Sequence, residues 1–226
     1  PNIKIIPLEV KYPQGAEKQL IKAILNREVP SGGLPMDVGV VVQNVGTACA
    51  ISEAARFGRP LIDRVTTITG AVVYPKNLRV RIGTLFSALI EECGGFSGEP
   101  AKIVMGGPMM GIAQHTLNVP VIKGTSGIVI LPKAAAGEKD FYDCIRCGMC
   151  VRACPMGLLP NMLGIYGELR LVEKGEEFRP MDCIECGCCS FVCPSKRPLV
   201  QFIRYLKNEL SIKRSRAKEK KEAVKV

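Results

Sequence analysis

The chain has 226 residues, 47% of them apolar, which is enough to bury one large domain or two smaller ones. Eleven Cys without a recognisable signal peptide exclude a small disulfide-stapled secreted domain and indicate a reducing, cytoplasmic setting. No run of about eighteen apolar residues occurs, which predicts no membrane-spanning helix, and the net charge of +10 leaves an anionic partner open.

Residues 1–63 alternate strand-like and helix-like segments. Residues 3–8 are rich in β-branched side chains and predict a short strand, and residues 15–26 carry apolar side chains at helical spacing. Residues 37–45 form an apolar run of strand length, typical of a strand buried on both faces of a parallel sheet. Residues 47–57 predict a second helix, closed by Gly58. This order predicts an α/β fold.

Asn44 and Thr47 lie in the turn between the apolar run and the second helix. Ligands of open α/β sheets bind at the carboxyl ends of strands, and backbone amides at a helix N-terminus favour phosphate. Both residues are therefore candidates for cofactor binding. An ordinary strand-to-helix turn with Thr47 as the N-cap explains them equally well.

Residues 64–132 predict short strands around a single helix at residues 84–93, which is typical of a small α+β module of β-grasp type. The predicted strands are two short pieces within 65–74, then 77–82, 102–105, 119–122 and 127–131.

Residues 133–212 begin with a linker and continue as a mostly helical domain that contains one Cys pattern twice. Both copies read C-x2-C-x2-C-x3-C-P, the spacing of bacterial [4Fe-4S] ferredoxins. Three thiolates at this spacing reach one cubane from a tight loop, and the fourth reaches the other cluster. The predicted ligands are Cys144, Cys147, Cys150 and Cys193 for cluster one, and Cys183, Cys186, Cys189 and Cys154 for cluster two.

Two other uses of these Cys are less consistent with the pattern. Structural zinc prefers paired C-x2-C knuckles, and a disulfide framework suits a small secreted chain. Cys188 lies inside the second loop and is predicted to be a packed residue or a free thiol.

The C-terminal residues predict an amphipathic helix and a basic tail. Residues 198–212 carry one apolar stripe, which favours docking on the same domain over a membrane surface. Residues 213–226 are predicted to be a disordered, solvated tail, and a nucleic acid or an anionic surface is the alternative.

Four segments together resemble the C subunits of Rnf-type ferredoxin:NAD oxidoreductase complexes. They are NVGTACAISEA, KIVMGGPMMGI, CIRCGMCVRACPMGLLP and MDCIECGCCSFVCPSKRPLVQFIR. The resemblance implies three parts ahead of the basic tail at 213–226: the C-terminal half of an FMN/NAD-binding domain at 1–63, a soluble-ligand-binding β-grasp domain at 64–132, and a two-cluster ferredoxin domain at 133–212.

The same resemblance bears on the cofactors. It matches Asn44 and Thr47 to a turn that touches the flavin phosphate, and it implies FMN and NAD(H) in the full-length protein. The Gly-rich nucleotide loop of the family lies upstream of these residues, and the chain begins with Pro1, so we expect a fragment or a processed chain.

The resemblance implies an electron-transfer subunit that passes electrons between NAD(H), FMN and partner subunits, without a catalytic acid or base in this chain. The implied partners are the other subunits of an ion-translocating complex and a ferredoxin-like carrier, at the cytoplasmic face of the cell membrane. A soluble NADH-dependent flavoprotein similar to cobalamin reductases is the alternative, and a nucleic-acid-binding cluster protein is a third.

Overall fold

The structure, a computed structural model, describes residues 3–135 and 141–223. The helices are α1 (Glu17–Leu25), α2 (Val45–Phe57), α3 (Phe86–Glu92), α4 (Met149–Arg152), α5 (Pro160–Glu168), α6 (Val172–Glu176), α7 (Cys188–Phe191) and α8 (Leu199–Ala223). The strands are β1 (Asp63–Gly70), β2 (Lys76–Arg81), β3 (Pro100–Met105), β4 (Ile112–Gln114) and β5 (Gly127–Pro132). Short 3-10 helices cover Pro35–Val38, Lys133–Ala135 and Pro180–Asp182.

The chain divides into two compact units. One unit contains residues 43–139. The other combines residues 1–42 with residues 140–226. The N-terminal residues therefore fold with the Cys-rich part of the chain.

The unit of residues 43–139 is built on a mixed five-stranded sheet in the order β2-β1-β5-β3-β4. The β1 strand runs parallel to β5 and antiparallel to β2, while β3 is antiparallel to both β4 and β5. The apolar face of α3 buries Phe86, Leu89 and Ile90 against Ile68 and Ile128 of the sheet. Burial of such side chains is the main stabilising term of this unit.

At one position in this sheet, where β1 pairs with β5, only glycine fits. Gly70 ends β1 with a φ of +90°, opposite Ile130 of β5. A Cβ at this position would lie 2.1 Å from the carbonyl oxygen of Ile130. The same carbonyl accepts a 2.8 Å hydrogen bond from the amide of Ala71, so it is fixed in place.

The Cys-rich unit repeats one arrangement at an interval of 39 residues. The bounds of α7 are those of α4 shifted by 39 residues. The start of α8 is likewise the start of α5 shifted by 39 residues. Arg146 and Glu185 are equivalent in this repeat, and both have a φ of +56°. The two copies pack against each other through α5 and α8, which bury Leu163, Ile203 and Leu206.

The predicted strands at residues 3–8 and 37–45 are wrong. The first segment is irregular, and the second contains the 3-10 helix Pro35–Val38 and an irregular stretch that leads into α2. A strand needs a neighbouring strand for its amide and carbonyl groups. Within residues 3–62, as described, there is none, and Ile5 and Val41 are 92% and 72% exposed. The α/β fold predicted for residues 1–63 is therefore not observed in them.

Other predicted elements differ in detail. Both helices of residues 1–63, the helix at 84–93 and the strands at 77–82, 102–105 and 127–131 are confirmed within a few residues. The segment 65–74 gives only one strand, and 119–122 is an irregular segment with one isolated bridge from Pro120 to Leu85. The short β4 strand was not predicted.

The C-terminal helix is longer than predicted. The α8 helix continues to Ala223, so the prediction of a disordered tail is wrong for residues 213–223. Lys213 and Arg214 form ion pairs with Glu176 of α6 at 3.7 and 3.3 Å. These pairs connect the C-terminal turns of α8 to α6. Residues 224–226 lie outside the described part of the chain. In the ranges that the structure describes, no helix combines the length and the apolar character needed to cross a bilayer.

Candidate functional site

The eight Cys of the repeated pattern line two separate cavities in the Cys-rich unit. Each cavity takes three Cys from one copy of the pattern and the fourth Cys from the other copy. The wider cavity, of about 470 Å³, is lined by Cys144, Cys147, Cys150 and Cys193, and the narrower one, of about 20 Å³, by Cys183, Cys186, Cys189 and Cys154.

The grouping of the thiols is the one that the spacing predicts. The fourth Cys of each copy follows a single short helical turn, α4 or α7, which carries it away from its own loop. Cys154 thereby reaches the cavity of the second copy, and Cys193 that of the first. That these side chains bind clusters stays a prediction.

The donor set fits an iron–sulfur cluster better than a single metal ion. In the part of the chain that the structure describes, no three Cys, His, Asp or Glu side chains converge closely enough to hold one ion. Zinc would require thiolates within about 2.3 Å of a common point. Four thiols spread around the first cavity, of about 470 Å³, suit a larger group that supplies several metal atoms, as the [4Fe-4S] cubane does. The second cavity is much smaller, so a cluster there rests on its four Cys and their spacing alone.

Burial governs the acidity of several of these thiols. It raises the pKa of Cys150 and Cys183, and it raises the pKa of Cys189 to about 12. Burial and the neighbouring Cys186 raise the pKa of Cys188, which lines neither cavity, to about 11. Because metals are bound by thiolates, metal binding here must release protons.

The first cavity, lined by Cys144, Cys147, Cys150 and Cys193, also has polar side chains in its wall. The guanidinium of Arg197 is only 5% exposed and forms an ion pair with Glu168. It also donates to the carbonyl of Tyr142 at 3.3 Å and lies 5.2 Å from the ring centre of Phe141. Arg146 and Asn161 line the same cavity, and the buried Oδ1 of Asn161 has no hydrogen-bond partner.

The second cavity, lined by Cys183, Cys186, Cys189 and Cys154, has otherwise apolar walls, formed by residues such as Met156, Leu158 and Val200. The nearby charged groups lie outside that wall. Glu185 pairs with Arg204 at 2.7 Å and with Lys207, which also donates to the carbonyl of Cys183 at 3.0 Å. Burial would raise the pKa of Glu185, but the hydrogen bonds from Lys207 and Arg204 outweigh it and lower that pKa.

Residues from the N-terminal segment contact both Cys-containing segments that line the second cavity. The hydroxyl of Tyr12 donates to the carbonyl of Cys186, and Gln19 of α1 donates to the carbonyl of Pro155 at 3.2 Å. Ser31 donates to Asp182, and Ile21 of α1 is 2% exposed. Sequence patterns could not indicate these contacts, because they join residues more than 130 positions apart.

Asn44 and Thr47 lie together in a third cavity, of about 500 Å³, within the unit of residues 43–139. The Oδ1 of Asn44 accepts from the amide of Gly46 at 2.9 Å, so Asn44 is the N-cap of α2, and the alternative with Thr47 as N-cap is wrong. Arg64 lines this cavity too, and its buried Nε has no hydrogen-bond partner. A helix N-terminus beside an unsatisfied guanidinium nitrogen suits an anion.

Asn44→Ala is expected to weaken α2 by about 1 kcal/mol, because the cap hydrogen bond is lost. Amide hydrogen exchange across residues 45–57 measures this. Asn44→Ser keeps a side-chain oxygen that can accept the same hydrogen bond, and should retain most of the protection. Equal loss of protection in both variants would contradict a capping role.

Three family models match successive parts of the chain. The Nuo51 FMN-binding domain matches residues 1–53, the SLBB domain matches residues 65–113, and the 4Fe-4S dicluster domain matches residues 136–194.

Curated relatives match nearly the whole chain. The C subunit of the proton-translocating ferredoxin:NAD(+) oxidoreductase complex of Clostridium ljungdahlii is 58% identical over 92% of this chain and 46% of its own length. The C subunit of the Na(+)-translocating complex of Acetobacterium woodii is 51% identical over 94% and 48%. The C subunit of the ion-translocating oxidoreductase complex of Rhodobacter capsulatus is 47% identical over 95% and 42%. The chain therefore spans about half the length of the relatives it matches.

Proposed function

We propose that this chain belongs to the C subunits of the ion-translocating ferredoxin:NAD(+) oxidoreductase complexes, about half the length of which it matches, and that it carries electrons within a complex of that kind. The observation that carries the proposal is the sharing of eight Cys between two cavities, with one ligand of each set supplied by the other copy of the pattern.

Two [4Fe-4S] clusters, when bound, supply one-electron carriers. Cys144, Cys147, Cys150 and Cys193 would hold the first, and Cys183, Cys186, Cys189 and Cys154 the second. Leu199 and Val200 pack against the buried Cys150 and Cys189, which shields these two side chains from water. The protein contributes position, burial and electrostatics, and one-electron transfer of this kind requires no general acid or base.

The rest of the electron path is proposed from the matched models and the names of the relatives. FMN and NAD(H) belong to the full-length protein, and residues 1–63 are the C-terminal half of its flavin domain. Thr47 and the cap at Asn44 would lie near the flavin phosphate, with Arg64 as a cation in the same cavity. Residues 64–132 form the soluble-ligand-binding β-grasp module and residues 133–212 the two-cluster module.

The proposed partners are the other subunits of the complex and a ferredoxin-like carrier, with this chain at the cytoplasmic face of the cell membrane. The relatives are named as subunits of ion-translocating complexes, which favours this function over that of a soluble cobalamin-reductase-like flavoprotein. Co-purification of the full-length protein with integral membrane subunits tests this choice, and isolation alone with cob(III)alamin reductase activity would overturn it.

Anaerobically prepared protein is expected to contain about eight iron and about eight acid-labile sulfide per chain, as two [4Fe-4S] clusters require. Electron paramagnetic resonance (EPR) of the fully reduced protein should show two interacting S = 1/2 centres. Iron and sulfide analysis with EPR on one sample checks both points. Zinc in place of iron, or about four iron with a single centre, would refute the electron-transfer proposal.

A further inference from the structure

The 39-residue repeat gives each residue of the first Cys site an equivalent in the second. The Cys ligands correspond one to one, but the polar residues around the first site do not recur. The equivalent pairs are Arg146 with Glu185, Asn161 with Val200, Ser195 with Met156, and Arg197 with Leu158.

These replacements make the two sites electrically different. Arg146 and Arg197 both line the first cavity. Of their equivalents, Leu158 lines the second cavity, whereas Glu185 lies outside its wall. The first site therefore has two cationic side chains in its wall, and the second has none.

The position of Arg197 strengthens its effect. Its guanidinium is 5% exposed, so its charge is poorly screened by solvent, whereas its counter-ion Glu168 is 35% exposed. It also stacks against Phe141 and Phe202, at 5.2 and 5.8 Å from the ring centres, which fixes its place. A fixed, poorly screened positive charge favours any added negative charge in the same cavity.

The charges near the second site act in the same direction but less directly. Lys207 reaches only the backbone carbonyl of Cys183, and it shares Glu185 with Arg204. None of these three side chains lines the second cavity. Their charges therefore act from outside an apolar wall.

We propose that Arg197 sets the order of the two centres, so that the first centre, on Cys144, Cys147, Cys150 and Cys193, has the higher reduction potential. This rests on the proposed function, since it requires both clusters. With both clusters bound, one electron would move from the second centre to the first, which would oxidise the second and reduce the first without a proton. Arg197 would then be a positioning residue that acts through its charge and not as a ligand.

Arg197→Leu tests this directly, because it gives the first site the residue that its repeat equivalent has in the second. A potentiometric titration of the cluster-loaded protein, followed by EPR, reports both midpoint potentials. The equilibrium constant for reducing the first centre is expected to fall at least tenfold, which lowers its midpoint potential by about 59 mV for one electron. The potential of the other centre should stay unchanged.

A second variant keeps the test decisive if Arg197→Leu does not fold. Arg146→Glu places at this exposed position the residue that the second loop has at its equivalent, Glu185. It should lower the reduction potential of the first centre. Arg214→Leu removes an exposed Arg that pairs with Glu176 of α6, and serves as the charge-matched control without a shift. Equal shifts of both centres, or no shift with about eight iron bound, would overturn the proposal for Arg197 and leave the cluster assignment standing. Low iron in the unaltered protein would instead refute the cluster assignment.

Discussion

Cys154→Ser is expected to abolish the cluster on Cys183, Cys186 and Cys189, although Cys154 lies in the first copy of the pattern. The thiol of Cys154 lines the cavity of the second copy, and a cubane with three thiolate ligands is poorly held. Iron should fall from about eight to about four per chain. Iron analysis and EPR of the anaerobic variant measure the loss.

The residual EPR spectra reveal which Cys share a cluster. Cys154→Ser and Cys189→Ser should leave the same spectrum, and Cys150→Ser and Cys193→Ser should leave the other one. Cys188→Ser is the matched control in the second loop and should keep both clusters, because Cys188 lines neither cavity. If Cys154→Ser instead matched Cys150→Ser, each copy would hold its own cluster and the crossed assignment would fail.

Gly70→Ala is expected to disrupt the five-stranded sheet. The added Cβ would lie 2.1 Å from the Ile130 carbonyl oxygen, so β1 and β5 would have to separate where they pair. Gly83→Ala is the matched control, since Gly83 has a similar φ of +98° but open space around its Cβ position. The control should cost about 1–3 kcal/mol of backbone strain alone.

Amide hydrogen exchange over β1, β2 and β5 distinguishes the two glycine variants. Gly70→Ala should lose protection along the whole β1–β5 pair, and Gly83→Ala should lose it only modestly. Similar losses in both variants would mean that the backbone conformation, rather than the contact with Ile130, makes glycine necessary at position 70.

The Cys sites were predictable because their geometry is local. Three ligands two residues apart and a fourth after one helical turn leave little choice of arrangement, so spacing alone grouped Cys154 with Cys183. Helices such as α1 and α3 were predictable for a similar reason, since their apolar faces follow from neighbours three and four positions away.

The failures concern residues whose structure depends on distant partners. Residues 37–45 have the composition of a buried strand, yet composition does not supply the strand that must pair with them. Arg197 could be recognised from sequence as a cation near the second loop. Its burial in the wall of the other cavity appears only when Cys193 is seen to cross between the copies. The 39-residue register, with Leu158 as the equivalent of Arg197, was the signal that could have found it.

The contacts of Tyr12, Gln19 and Ser31 with the Cys-rich half bear on where this chain can be cut. A fragment that starts in the segment between β5 and α4 would contain both Cys motifs and so resembles a minimal ferredoxin. It would lack the buried Ile21 and the three side chains that contact the Cys-rich half. Expression of that fragment alone would give material in which one loop is missing its support, and co-expression of residues 1–42 as a separate peptide is the way to restore it.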